Sequence, residues 1–286
     1  MQKIWTLRTN NKRLREKLSG HLNISPILAQ MLINRDLCDA QQARHFLYGD
    51  LSACFDPFLL KGMDEACRRV KKAIKNKEKI LIYGDYDVDG ITSCALLKIV
   101  LHELGADAYT YIPNRLEEGY GLNRKAVKSA RDKHIKLIIT VDCGIGAVEE
   151  VGLANSFGID VIITDHHQTK KDGMPGAFCI INPHQKGCAY PFKHLAGVGL
   201  AYKLSQALMK KRYYFLEKHL DLIALGTVAD VAPQKSENRI FTKHGIFRLN
   251  DTQNLGLKSL IAVSGLGKRD ISSSHIGYIL GPRINA

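Results

Sequence analysis

The sequence predicts an α/β fold, a mainly parallel sheet with helices on both faces, preceded by a small helical N-terminal region. Three observations carry that expectation. From about residue 79, short apolar runs alternate with amphipathic stretches in βαβα order. The 286 residues are 45% hydrophobic and 24% charged, enough to bury one large core or two smaller ones and too apolar for a disordered chain. Residues 1 to about 60 are polar and helix-like, with the Asp56-Pro57 break near their end. The division expected is therefore 1–60 for the helical region and 61–286 for the α/β domain.

Taken in order, Ser25-Pro26 ahead of Ile27, Leu28, Met31 and Leu32 reads as a capped helix start. Residues 62 to 79 place Ala66, Val70, Ala73 and Ile74 at helical spacing. The accompanying bases (Arg68, Arg69, Lys71, Lys72, Lys75) read as a solvated face. Lys79–Tyr83 then reads as a strand, Ile91–Leu104 as a helix and Ala108–Ile112 as a strand. Asn123–Lys133 follows as a helix, Lys136–Val141 as a strand, Ala147–Phe157 as a helix and Asp160–Ile163 as a strand. Leu195–Lys210 and Phe215–Leu225 read as further helices, and the remaining tail as mixed. No repeat of 20–50 residues interrupts this order.

Lys plus Arg number 41 against 28 acids, a formal charge of +13. That excess predicts an anionic partner, nucleic acid first and small phosphates second. No apolar run is long enough for a membrane span. Met1–Asn11 is polar and broken by Lys3 and Arg8, so it has no secretory pattern. The seven cysteines are scattered without a C-x-x-C pair, which reads as reduced thiols in a cytoplasmic protein.

In an open parallel sheet, ligands gather outside the carboxyl ends of the strands. The unusual residues of this chain fall there. The first strand runs into Asp85, Asp87 and Asp89, another ends at Asp142, and the next at Asp165, His166 and His167. The stretch Leu225–Asp230 is a fourth candidate strand-end loop, bringing Asp230 to the same edge. So many carboxylates in one cleft repel each other unless cations sit between them. Oxygen donors with an imidazole suit Mg²⁺ or Mn²⁺, and two such ions about 3.5–4 Å apart make a phosphoryl-displacement site. Asp85 and Asp165 each have a simpler reading: Asp85 shapes its loop, and Asp165 caps the loop or orients His166. A calcium EF-hand is excluded for Asp85-x-Asp87-x-Asp89-Gly90, because its twelfth position is Leu96 and not glutamate. An aspartyl-phosphate phosphotransferase with Asp87 as nucleophile would leave His166 and His167 unexplained.

As an ordered set, Gly84–Gly90, Val141–Cys143, Asp165–His167 and Gly226–Asp230 resemble the successive motifs of the DHH phosphoesterase superfamily. Within it, Ile112–Arg115, Glu118–Leu122, Leu195–Gly199 and Gly281–Ala286 resemble the RecJ family of bacterial single-stranded-DNA-specific exonucleases. So does the stretch around Arg44–Leu47. The resemblance implies Asp85, Asp87, Asp89, Asp142, His166 and Asp230 as ligands of a two-ion Mn²⁺ or Mg²⁺ site, with Asp142 bridging. It implies catalytic roles for Asp142, His166, His167 and Asp89. His167 would donate to the scissile phosphate. Arg115, Asn114 and Arg283 would hold substrate phosphates, with His194 beside them, and Tyr86, Tyr111 and Tyr120 could stack on bases.

The implied reaction is 5′→3′ hydrolysis of single-stranded DNA to 5′-mononucleotides, with single-strand-binding protein and a helicase as partners and no membrane. The resemblance also implies a chain about twice as long, with a second core domain and an oligonucleotide-binding fold after Ala286. The 286 residues alone are then expected to be weakly active or inactive. The alternatives are a DHH enzyme for small phosphates or nano-RNA, and a non-catalytic DNA-binding scaffold. Tyr83 stands where pyrophosphatase-like members carry a metal-binding histidine, and the intact acids argue against the scaffold.

Overall fold

The computed structural model describes residues 11–169, 173–210 and 212–286, and the segment holding Lys3 and Arg8 lies outside them. The chain divides into two compact units between Ala53 and Cys54. In the first, helices α1 (Lys12–Leu22), α2 (Pro26–Ile33) and α3 (Ala40–Tyr48) close on Leu18, Leu22, Ala29, Leu32 and Ala43. Ser25 caps α2 by accepting from the Leu28 N–H, with Pro26 in its first turn, as the sequence predicts.

Among its described residues the second unit is built on five strands: β1 (Lys79–Gly84), β2 (Ala108–Tyr111), β3 (Ile135–Val141), β4 (Asp160–Thr164) and β5 (Cys179–Ile181). They lie in the order β2-β1-β3-β4-β5 with every pairing parallel. A parallel sheet buries both faces, so its central strands are apolar throughout, and Leu137 to Val141 are all buried. Leu81 and Tyr83 of β1, Ile138 of β3 and Val161 and Ile163 of β4 pack with α6 (Arg124–Asp132) and α7 (Val148–Ser156). The alternate residues Ile80, Ile82, Ile139 and Ile162 are buried too, and α4 (Met63–Lys75), α5 (Val88–Glu103) and α8 (Gly197–Met209) also contact the sheet. The strand order reverses between β1 and β3, the switch point where such sheets form a ligand crevice.

After α8 come α9 (Tyr213–Glu217), α10 (Leu220–Ala229), α11 (Ser236–Asn250) and α12 (Leu255–Val263). The chain ends in α13 (Ser273–His275), which continues through a π turn at Ile276–Leu280 into α14 (Gly281–Asn285). No helix is long and apolar enough to cross a membrane among the described residues. All seven cysteines are free thiols.

Three expectations need correction, and one strand is unforeseen. Leu225–Asp230 is not a strand-end loop: α10 runs through Ala229, and Asp230 is its C-cap. Nearly all of α10 is buried, so it shows no helical alternation and its length is hard to read. The three-residue strand β5 escapes the sequence reading because so short an apolar run carries no period. The tail is mostly helical; α11 buries polar Glu237, Asn238 and Thr242, which blurs its pattern. On α4, Arg69 is not part of a solvated face. It is 5% exposed, pairs with Glu78 at 2.8 Å and Asp160 at 2.5 Å, and donates to the Lys136 carbonyl, pinning α4 to the start of β3 and β4.

Candidate metal centre

The ends of β1, β3 and β4 deliver the acidic loops to one edge. Beyond Gly84, Asp85 is 4% exposed. Asp87 caps α5, its side chain accepting from the Gly90 N–H, where a negative charge also suits the helix dipole. Asp89 lies in the first turn of α5, fully buried. Its carboxylate accepts the N–H groups of Gly197 (2.6 Å) and Val198 (2.8 Å), so one side chain joins two helix starts. After β3, Asp142 adopts φ of 60°, a left-handed conformation that aspartate tolerates better than most residues. Its N–H donates to the Thr164 carbonyl, holding the β3 and β4 ends together.

Two glycines make the cluster compact. A Cβ on Gly197 would stand 2.7 Å from the Asp142 Cβ, and one on Gly226 would stand 2.4 Å from the Thr92 hydroxyl and 3.0 Å from Asp89 Oδ1. Both positions require a residue without a side chain for α8 and α10 to approach the acids.

Three overlapping groups of ligand atoms each lie within 4.8 Å among the described residues: Asp85 with Asp87 and Asp142, Asp142 with His166 and His167, and Asp89 with His166 and Asp230. The structure thus brings together all six residues expected as metal ligands. Asp142 and His166 each belong to two groups.

The electrostatics are those of a site short of positive charge. Burial, then Asp89 and Asp87, pushes Asp142 well above the usual carboxylate range. Burial and Asp230 raise Asp89 to about 7, while burial and Asp87 raise Asp85 to about 6 against the Tyr86 N–H, His167 and Arg115. Burial also raises Asp230, which sits at the unfavourable negative end of α10. His166 Nε2 stands 3.0 Å from Asp142 Oδ1, yet neither atom has a hydrogen-bond partner, and Asp85 Oδ1 lacks one too. Buried polar atoms without partners are rare and costly. A hard divalent cation would satisfy all three, and carboxylate oxygens with one imidazole fit Mn²⁺ or Mg²⁺.

Asp165 plays a different part from the one expected. It accepts the Ile145 N–H (2.9 Å) and the His167 N–H (3.0 Å), and its Oδ1 lies 2.7 Å from His167 Nδ1. It therefore orients His167 and not His166. Burial works against the charged carboxylate, but the His167 contacts prevail and lower its pKa, and the same contact raises that of His167. The loop order alone does not reveal which histidine turns back toward Asp165.

The substrate-side candidates are less gathered. Arg115 lies over the Tyr86 ring at 5.2 Å and acts electrostatically on Asp85, so it borders the cluster. Asn114 is committed to a turn, its side chain accepting from the Leu116 N–H. Arg283 is exposed on α14 and donates to the Ile279 carbonyl. Asn285, two residues on and not foreseen, accepts the Val88 N–H at the mouth of α5. His194 lies edge-on to His184. Tyr111 is half-buried and stacks on core Tyr83 at 5.4 Å, whereas Tyr120 is 57% exposed with its hydroxyl 3.3 Å from His167 Nδ1.

The family model described as "DHH family, N-terminal domain" matches residues 79–227. The chain is 44% identical over 282 residues to the single-stranded-DNA-specific exonuclease RecJ of Bacillus subtilis, covering 99% of this chain and 35% of that one. It is similar to a crystal structure of exonuclease RecJ bound to manganese, with a TM-score of 0.70, 35% identity and coverage of 79% of this chain and 57% of the other. It is also similar to RecJ of Thermus thermophilus in complex with Mn²⁺, with a TM-score of 0.78, 28% identity and coverage of 97% and 39%. The chain spans less than half the length of the curated RecJ relatives it matches.

Proposed function

Because the chain belongs to the DHH family, we propose that it hydrolyses phosphodiesters of single-stranded DNA from the 5′ end, as a metal-dependent exodeoxyribonuclease releasing 5′-mononucleotides. The observation that carries this reading is the buried Asp142–His166 contact, 3.0 Å apart and without a hydrogen bond, inside a ring of acids. Asp85, Asp87, Asp89, Asp142, His166 and Asp230 would hold the ions, with Asp142 shared between two positions. When bound, Mn²⁺ or Mg²⁺ would activate water and neutralise charge on the reacting phosphate.

The chain's own residues do the rest. Asp165 accepts from Nδ1–H of His167 and favours the protonated ring, in which Nε2–H donates to a phosphate oxygen as negative charge grows there. Arg115 offers a guanidinium fork to a neighbouring phosphate, and Arg283 extends that role along the strand. Exposed Tyr120 supplies a face for an unstacked base, which a duplex does not offer. The +13 charge suits the polyanion. The reading also carries a cytoplasmic setting, with single-strand-binding protein and a helicase as partners.

The test is end-labelled single-stranded DNA with Mn²⁺. Mononucleotides released from the 5′ end, lost in Asp142→Ala, are the expected result. The rate of the 286 residues alone is expected to be low, because the curated relatives that bear this activity are much longer. Equal digestion of duplex, or hydrolysis of dinucleotides only, would contradict the reading.

A further inference from the structure

We propose that a cavity beside His167 is a nucleobase pocket, and that Glu150 makes it favour bases bearing an exocyclic amino group. The proposal rests on the nuclease reading above and adds a specificity determinant to it. The cavity, about 460 Å³, opens between the loop after β3, the loop before α6 and the segment following β4. That volume lies within the range of small-ligand sites. Leu122, Ile145 and Ala147 give it an apolar lining. Tyr120 stands on one side, its ring edge-on to His167 at 6.0 Å.

The charges decide which part of a nucleotide belongs here. Among the described residues no Lys or Arg lines the cavity, and Glu150 is a carboxylate within it. Away from His167, a phosphate in that space would meet the Glu150 carboxylate with no cation among the described residues to offset it. The neutral end of a nucleotide meets an apolar lining and an aromatic wall. His167 and Asp165 also line the cavity, so a phosphate at His167 places its own base within reach.

Glu150 and Gln168 supply the polar groups at the rim. Glu150 makes no hydrogen bond or ion pair among the described residues, so its acceptors are available. A carboxylate accepts from the cytosine N4 amino group, and guanine offers N1–H and N2–H₂ side by side. Thymine presents one N–H between two carbonyl oxygens that the carboxylate repels.

Calorimetry of the whole 286-residue chain with Mn²⁺ tests the pocket, using inorganic phosphate, dTMP, dCMP and dGMP as probes. All four are expected to bind, with dCMP and dGMP about tenfold tighter than dTMP. Glu150→Gln should erase that difference. Ala147→Leu, which fills the cavity, should bring the three nucleotides toward the affinity of phosphate while leaving phosphate unchanged. If Ala147→Leu does not fold, Glu150→Gln, on a partly exposed position, still decides. Nucleotides that bind no tighter than phosphate, or dTMP equal to dGMP, would overturn the pocket and leave the nuclease reading standing. Failure of phosphate and nucleotides alike to bind would remove both.

Discussion

Two clusters of buried charge in the α/β unit meet the cost of burial in opposite ways. Around α8 and α11, Lys203 and Glu237 are both fully buried and paired. Lys203 also donates to the Phe55 carbonyl, while Glu237 accepts from the Phe55 N–H and the Tyr190 hydroxyl. The Lys203 ammonium lies over the Tyr190 and Phe241 rings, at 5.8 and 5.7 Å. This cluster brings its own cation and is closed. At the strand-end edge, Asp85, Asp87, Asp89, Asp142, Asp165 and Asp230 gather, and their only ion-pair partners among the described residues are His166 and His167. The contrast separates a network that completes itself from one whose missing charge must come from solution.

Asp142→Asn breaks the second cluster most severely. It keeps the shape, and asparagine accepts the left-handed backbone. Metal-dependent hydrolysis should fall below detection, while the metal-free protein melts at higher temperature because one repelling carboxylate is gone. Lys203→Met tests the closed cluster. It leaves Glu237 buried without its cation and should cost about 3–5 kcal/mol in denaturant unfolding, with Mn²⁺ binding kept in whatever fraction folds. His167→Ala removes a donor and not a ligand in the proposed scheme. The turnover rate should fall about 10²–10³-fold with little change in Mn²⁺ affinity.

Acidity separates the two kinds of charge again. Asp85 and Asp89 hold protons in the fold up to about pH 6 and 7, whereas the unfolded chain releases them near pH 4. Metal-free stability should therefore decline as pH rises from about 4 to 7, and added Mn²⁺ should reverse the decline. Glu78 behaves oppositely and more weakly. Burial opposes its charge, but hydrogen bonds from Asn76 and Arg69 lower its pKa below 4.5. Its contribution is present above that value and lost as pH falls through its folded pKa, an effect that Glu78→Gln should remove from the acid limb of a melting profile.

Much of this is legible in the sequence because the signals are local. β1, β3 and β4 are apolar runs ending in acids, so strand and ligand come as one reading. Asp230 falls in the right company on the wrong element, since a helix buried on nearly every side has no polar face to mark its period. The Asp165 contact to His167 spans only two residues, but which histidine it engages depends on how the chain turns after β4, and that of Asn285 spans 197 residues of separation. The roles of Gly197 and Gly226 appear only when three helices and a strand end meet. Arg69 reads as one base in a basic run until Glu78 and Asp160 close around it.

In the proposed scheme everything depends on the acid cluster being a cation site. Calorimetric titration of the chain with Mn²⁺, in buffers of differing ionisation enthalpy, tests it directly. Two ions should bind per chain, with proton release and with affinity that rises between about pH 6 and 8, and Asp142→Asn should weaken both binding events. No binding at millimolar Mn²⁺, or binding that Asp142→Asn leaves unchanged, would contradict it.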